Sequence, residues 1–218
     1  MTRVALIHAL AHSVAPINDE MAAAWPDCER MNLLDDSLSA DLARSGRGLD
    51  AAMFERFETL AAYAEGTGAQ AILFTCSAFG PCIEAVARRR PGLPVLKPNE
   101  AMVAEAAASG QRVGLIASFA PTLVSMPSEF PAGTTVITCF AEGAMQALDR
   151  GDTDAHDARV VQAALWLQQQ GCDVMALAQF SMARAQTAVR QAVNLPVLTT
   201  PGSAVRALRH RLGCGNPP

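Results

Sequence analysis

The chain is written twice. Gly68-Ala69-Gln70-Ala71-Ile72-Leu73-Phe74-Thr75-Cys76 can be laid on Gly171-Cys172-Asp173-Val174-Met175-Ala176-Leu177-Ala178-Gln179, and Leu93-Pro94-Val95-Leu96 on Leu195-Pro196-Val197-Leu198. Arg3-Val4-Ala5-Leu6-Ile7 matches Arg112-Val113-Gly114-Leu115-Ile116, which sets Ser13 opposite Thr122. Each matched run is apolar, too short for a helix and bounded by turn residues, so it reads as a buried strand. Between the runs the spacing turns helical: Met53, Phe54, Phe57, Leu60, Ala61 and Ala64 share one face of a helix that Gly66 and Gly68 end. Further strands are expected over 28–33 and 134–139, and further helices over 16–25, 82–87, 100–109, 142–148 and 155–170. Strands alternating with helices specify an α/β fold with a mainly parallel sheet in each half. The expected organisation is two pseudo-symmetric α/β halves with an active-site cleft between them. Residues 1–97 with 200–218 form the first lobe, carrying Cys76, and residues 98–199 form the second, carrying Gln179.

Composition narrows the class of function. With 218 residues, 50% of them hydrophobic and 17% charged, the chain has ample core for a globular fold. A net charge of -4 argues against nucleic acid as a partner. The one basic run, Arg88-Arg89-Arg90, stands before Pro91-Gly92 at a helix C-terminus, where cations suit the dipole. No apolar stretch is long enough to cross a bilayer, and no membrane partner is expected. Near the N-terminus Val4-Ala5-Leu6-Ile7 is a short apolar run interrupted by His8, a first strand rather than a secretory signal. The six cysteines are scattered without CxxC pairs. Free thiols and a cytoplasmic location are the expectation.

Open α/β sheets bind ligands beyond the C-terminal ends of their strands. The loops at that edge are 8–13, 75–80, 117–122 and 178–182, and they are rich in hydroxyls and thiols. Cys76 stands at the hinge where a buried strand gives way to a helix, near unpaired helix N–H groups that favour an anion, so its thiol pKa is expected to be lowered. An inert buried thiol is the alternative. Removing a proton beside a carboxylate takes a base and donors for the developing charge. Cys76 is the candidate base, or a nucleophile adding to an activated double bond. Ser13, Thr75, Ser77, Ser118, Thr122 and Ser181 are candidate substrate contacts, with Phe180 in the apolar lining. The competing reading is that these hydroxyls simply cap the helices that follow. His8, at the end of the first strand, is a candidate acid or substrate contact, against a structural role. Cys82 reads as packing, and His156 and His210 as exposed helical positions. His8 and His12 lack the glutamate and third ligand of a zinc site, so no metal is expected. The absence of GxGxxG and of a phosphate-binding loop leaves nucleotide binding unsupported.

The repeat, together with Ile72-Leu73-Phe74-Thr75-Cys76-Ser77-Ala78, resembles the aspartate/glutamate/hydantoin racemase superfamily, which includes arylmalonate decarboxylase and maleate isomerase. The resemblance covers nearly the whole chain. It implies a cofactor-independent enzyme acting on a small carboxylate or amino-acid-like substrate, with two cysteines on opposite faces of it, and a possible homodimer. The chain departs from that pattern in its second half, where Leu177-Ala178-Gln179-Phe180-Ser181-Met182 places Gln179 at the cysteine position. Glutamine is no base at neutral pH, though its amide can hold and orient a carboxylate. Two-base racemisation is therefore not expected, and a one-cysteine isomerase or decarboxylase is. The superfamily's decarboxylase keeps its cysteine in the second half, whereas this chain keeps the first. A carboxylate-binding protein without catalysis is the alternative. Thiol redox sensing through Cys76 and Cys82 is a weaker third reading.

Overall fold

A computed structural model describes residues 1–110 and 112–214 of the chain. It divides into two compact units, Met1–Pro98 with the segment from Ala204 onward, and Asn99–Ser203.

The first unit runs β1 (Arg3–His8), α1 (Val14–Ala24), β2 (Glu29–Leu34), α2 (Ser37–Ser45), α3 (Ala51–Gly66), β3 (Ala71–Phe74), α4 (Gly80–Arg89) and β4 (Val95–Leu96). Its four strands are all parallel in the order β2-β1-β3-β4. The central strands are apolar throughout, with Val4 to Ile7 and Ala71 to Phe74 buried, as a sheet covered on both faces requires. Edge strand β2 is only partly buried. Helix α3 starts at Asp50, whose side chain accepts the Met53 N–H at 3.1 Å, and buries Met53, Phe57, Ala61 and Ala64 along one stripe. Phe57 packs against Phe74 of β3 and Phe79, with ring centroids 5.2 and 4.9 Å away. The Arg88-Arg89-Arg90 run falls at the end of α4, and Arg90 is tied to Glu58 and Glu65 of α3.

The second unit runs α5 (Glu100–Ser109), β5 (Arg112–Ala117), α6 (Ala120–Ser125), β6 (Thr135–Phe140), α7 (Ala144–Asp149), α8 (Thr153–Gln169), β7 (Val174–Leu177), α9 (Gln186–Ala192) and β8 (Val197–Thr199). The helix α10 (Thr200–Arg211) begins here and carries the chain into the first unit. The sheet is again parallel, in the order β6-β5-β7-β8. Val113, Leu115, Val174 and Ala176 face Met102, Val103 and Ala106 of α5. Ile116, Met175 and Leu177 face Val160, Ala164 and Leu167 of α8.

The repeat extends to register and to caps. Val4 pairs with Ala71 in one sheet as Val113 pairs with Val174 in the other. Helices α3 and α8 both end on a glycine with positive φ, Gly68 at 84° and Gly171 at 75°. In both, this glycine N–H bonds the third carbonyl back and the next N–H the fifth: Gly68 to Glu65 and Ala69 to Ala64, Gly171 to Gln168 and Cys172 to Leu167. Any other residue type would pay for the left-handed conformation there. The arginine opening each first strand caps the same carbonyls. Arg3 donates to Thr67 O, and Arg112 donates to Gln170 O and Gly171 O at 3.0 and 3.2 Å.

Most expected elements stand within one or two residues of their bounds. The exception in surroundings is His156. It is buried in α8, not exposed, because it lies on the face turned to the apolar core; its Nδ1 bonds Asp157 at 2.7 Å and its Nε2 has no partner. Among the described residues no helix is long and apolar enough to cross a membrane.

Candidate active site

Each parallel sheet delivers its loops to one rim, and the expected site residues fall on the two rims. Strands β1 and β3 continue their pairing one step beyond β3, where the Thr75 N–H bonds Ile7 O at 3.0 Å; Ala178 N–H bonds Ile116 O at 2.9 Å at the matched place. Cys76 and Gln179 are therefore each the first residue past a central strand. Both adopt extended backbone before a short 3-10 turn, Ser77–Phe79 after the cysteine and Phe180–Ala185 after the glutamine.

In the first unit, Cys76 packs partly against the core. Its thiol pKa is raised, which reverses the expectation. Burial is the larger effect, and the Ala78 N–H and Ser39 hydroxyl that reach the sulfur only partly offset it. A charged sulfur loses hydration that two neutral donors do not replace, and among the described residues no cation is bonded to it. The raised pKa favours the neutral thiol at neutral pH. Cys82 is buried in α4 and its pKa is pushed up to about 11 by burial alone, in keeping with packing.

His8 is fully buried at the end of β1. Its Nε2 lies 3.0 Å from Asn32 Oδ1 and its Nδ1 2.9 Å from Thr75 Oγ1. An amide oxygen only accepts, so Nε2 carries the proton and Nδ1 accepts from the Thr75 hydroxyl. Asn18 holds Asn32 in turn, through bonds of 2.8 and 3.1 Å. Burial lowers the His8 pKa, with the Asn32 bond opposing it. Both ring nitrogens are thus engaged, and the Thr75 proton is given to His8. The pair clamps the strand end beside Cys76.

In the second unit, Gln179 Oε1 accepts from the Ser118 N–H at 2.6 Å and the Ser118 hydroxyl at 3.0 Å. The two Ser118 donors expected for a substrate carboxylate are therefore held by the protein's own amide. The Gln179 Nε2 has no partner among the described residues.

Four other hydroxyls stand differently. Ser13, Thr122 and Ser181 are buried and Ser77 is half-buried. The turns and helices that follow the 8–13, 75–80, 117–122 and 178–182 loops show no side-chain cap bond, so the capping alternative is not met for these hydroxyls. The hydroxyls have no hydrogen-bond partner among the described residues. Phe180 is buried beside Ser181. No group of three His, Cys, Asp or Glu among the described residues has the spacing of a metal site.

Ser39, Asn32 and Arg56 are contributors that the sequence reading missed. Ser39 lies on α2, just beyond β2. Its signal was available, because the β2 loop must reach the same rim as the β1 and β3 loops.

Comparison with known proteins follows the same lines. Residues 11–208 match the family model described as Asp/Glu/hydantoin racemase. A search of curated protein sequences gave no match. Among solved structures, the chain is similar to an aspartate racemase homologue from Pyrococcus horikoshii, with TM-score 0.74 and 12% identity over 98% of this chain and 100% of that one. It is similar to glutamate racemase from Francisella tularensis in complex with D-glutamate, with TM-score 0.67 and 13% identity over 100% and 84%. It is also similar to unliganded arylmalonate decarboxylase, with TM-score 0.66 and 17% identity over 96% and 92%. At these identities the likeness is one of fold.

Proposed function

Because this chain belongs to the Asp/Glu/hydantoin racemase family, we propose that it is an enzyme which delivers a single proton to the α-carbon of a small carboxylate, with the neutral thiol of Cys76 as the donor. What carries this reading is the place of Cys76, packed partly into the core at a strand end that is matched in the second half by a glutamine, where burial favours the neutral thiol. A thiol that begins protonated serves a reaction that makes its own carbanion. Loss of carbon dioxide from a malonate-type acid leaves the electron pair of the broken C–C bond on the α-carbon, and that carbon takes the proton of Cys76. Solvent then restores the thiol. A one-cysteine isomerase would instead need the sulfur as a thiolate, to take a proton or to add to a double bond first, and the burial of Cys76 favours the decarboxylation.

The other groups take supporting parts. Ser13 and Ser77 are proposed to hold a carboxylate oxygen, as free hydroxyls at the rim of the first unit. Thr122, Ser181, Phe180 and the Gln179 amide N–H are proposed as substrate contacts of the second, with Ser118 holding the Gln179 carbonyl in place. His8 and Thr75 position Cys76. We place the chemistry in the cytoplasm on the strength of six free thiols.

The test is incubation with substituted malonates, amino acids and hydantoins in deuterated water. Release of carbon dioxide with one deuteron at the product α-carbon supports the reading. Cys76→Ala is expected to cost at least about a hundredfold in kcat/KM, the usual scale of a lost general acid. Tight binding of these acids without turnover would favour a carboxylate-binding protein instead.

A further inference from the structure

Among the described residues, Ser39 is the one whose side-chain hydroxyl is set against the Cys76 thiol, and the polar ends of α2, the helix that carries it, are tied to α3 by Arg56. Arg56 donates from Nη2 to Asp35 Oδ2 at 2.7 Å and to Ser37 Oγ at 2.6 Å, and from Nη1 to Asp41 Oδ2 at 2.7 Å. Asp35 in turn accepts from Ser37 N and Oγ at 3.2 and 2.6 Å. These contacts grip α2 on both sides of Ser39. Burial opposes the charge of Asp35, and the bonds from Ser37 and Arg56 keep its carboxyl below the ordinary range. Ser39 itself donates to Ala9 O at 3.1 Å, at the end of β1. The hydroxyl therefore stands between the carbonyl past β1 and the thiol past β3.

We propose that Ser39 is a catalytic hydroxyl that takes up the charge of the Cys76 thiolate as it forms, and that Arg56 is the positioning residue that holds Ser39 there through Asp35, Ser37 and Asp41. In the resting state the Ser39 proton lies on Ala9 O. As the Cys76 proton passes to the substrate carbon, the Ser39 hydroxyl turns to the sulfur and joins the Ala78 N–H as a donor to it. No bond other than hydrogen bonds changes at Ser39. The charged groups on and beside α2 are Asp35, Asp36, Asp41, Arg44, Arg47, Asp50 and Arg56; Arg56 pairs with Asp35 and Asp41, Arg44 with Asp41, and Arg47 with Asp50. The Ser39 hydroxyl is thus a neutral donor placed to answer a change of charge on sulfur.

This inference rests on Cys76 as the proton donor, but it is read without substrate. The rate of iodoacetamide labelling at Cys76, resolved from the other five thiols by peptide mass spectrometry, is followed against pH in the intact protein. Ser39→Ala is expected to move the profile to higher pH and slow labelling at neutral pH by roughly tenfold, the equivalent of one pKa unit. Arg56→Gln is expected to produce a similar shift, and the double variant no more than either alone. Arg56→Lys, which keeps the charge but loses the fork, is expected to fall between and serves if Arg56→Gln does not fold. An unmoved profile in Ser39→Ala, or additive effects of the two sites, would overturn the proposal. Normal labelling shifts without any turnover dependence on Cys76 would instead refute the proposed function and leave the Ser39–Arg56 arrangement standing.

Discussion

His8 makes stability depend on pH in a way that can be calculated from its surroundings. Its ring is fully buried, with both nitrogens committed to Asn32 and Thr75, and burial holds its pKa below the ordinary value near 6.5. The unfolded chain binds a proton there as pH falls through that ordinary value, while the folded chain does not. Folding stability contributed at this position is therefore complete above about pH 7.5 and declines as pH falls, until the lowered folded pKa is reached. For a ring that stays neutral when folded, the loss between pH 7.5 and 5.5 is about 1.4 kcal/mol, or about 3–6 °C in Tm for a chain of this size. His8→Gln keeps a donor for Asn32 and removes the titration. Urea melts of both proteins at a series of pH values give the difference directly, and the contributions of the other groups cancel in it. The expected result is that the stability difference between the two proteins shifts against the parent at the acid end, by no more than about this amount over those two pH units. Parallel curves would show that His8 is free to protonate when folded, and would remove it as the clamp beside Cys76.

The packing makes two further demands. At Gly114 of β5 an added Cβ would lie 2.8 Å from Met175 Sδ and 3.2 Å from Leu167 Cδ1, so Gly114→Ala is expected to cost about 1–3 kcal/mol in a denaturant melt; an unchanged midpoint would mean the contact relaxes freely. Phe57 joins α3 to Phe74 and Phe79, and Phe57→Ala is expected to cost about 3–5 kcal/mol, with a loss below 1 kcal/mol contradicting its place in the core.

Much of this architecture was legible because it follows from pattern. Apolar runs such as Ala71 to Phe74 can be buried on both faces only in a parallel sheet, and the doubled Arg3 and Arg112, Gly68 and Gly171 mark the same turn in both halves. The sign of the Cys76 pKa was not legible. Its place at a hinge suggested an activated thiol, but the balance between burial and two weak donors depends on how closely the core closes over the sulfur. Thr75 and Ser118 were read as donors to a substrate. Their protons go to His8 and Gln179, partners that only the strand register brings alongside. Arg56, Asp35 and Asp41 are charged residues of unremarkable spacing, and their grip on α2 arises from packing of α2 against α3. His156 was placed outside because a lone histidine in a polar helix start gives no sign of which face it shares.

The central claim is that Cys76 works as a protonated thiol, and the pH dependence of kcat/KM on an active substrate tests it most directly. If Cys76 is the acid, kcat/KM stays level through neutral pH and falls only above the ordinary thiol range, because burial has raised the pKa that sets the alkaline limb. A kcat/KM that instead rises with pH through that range would show a thiolate acting as base, and would contradict the account.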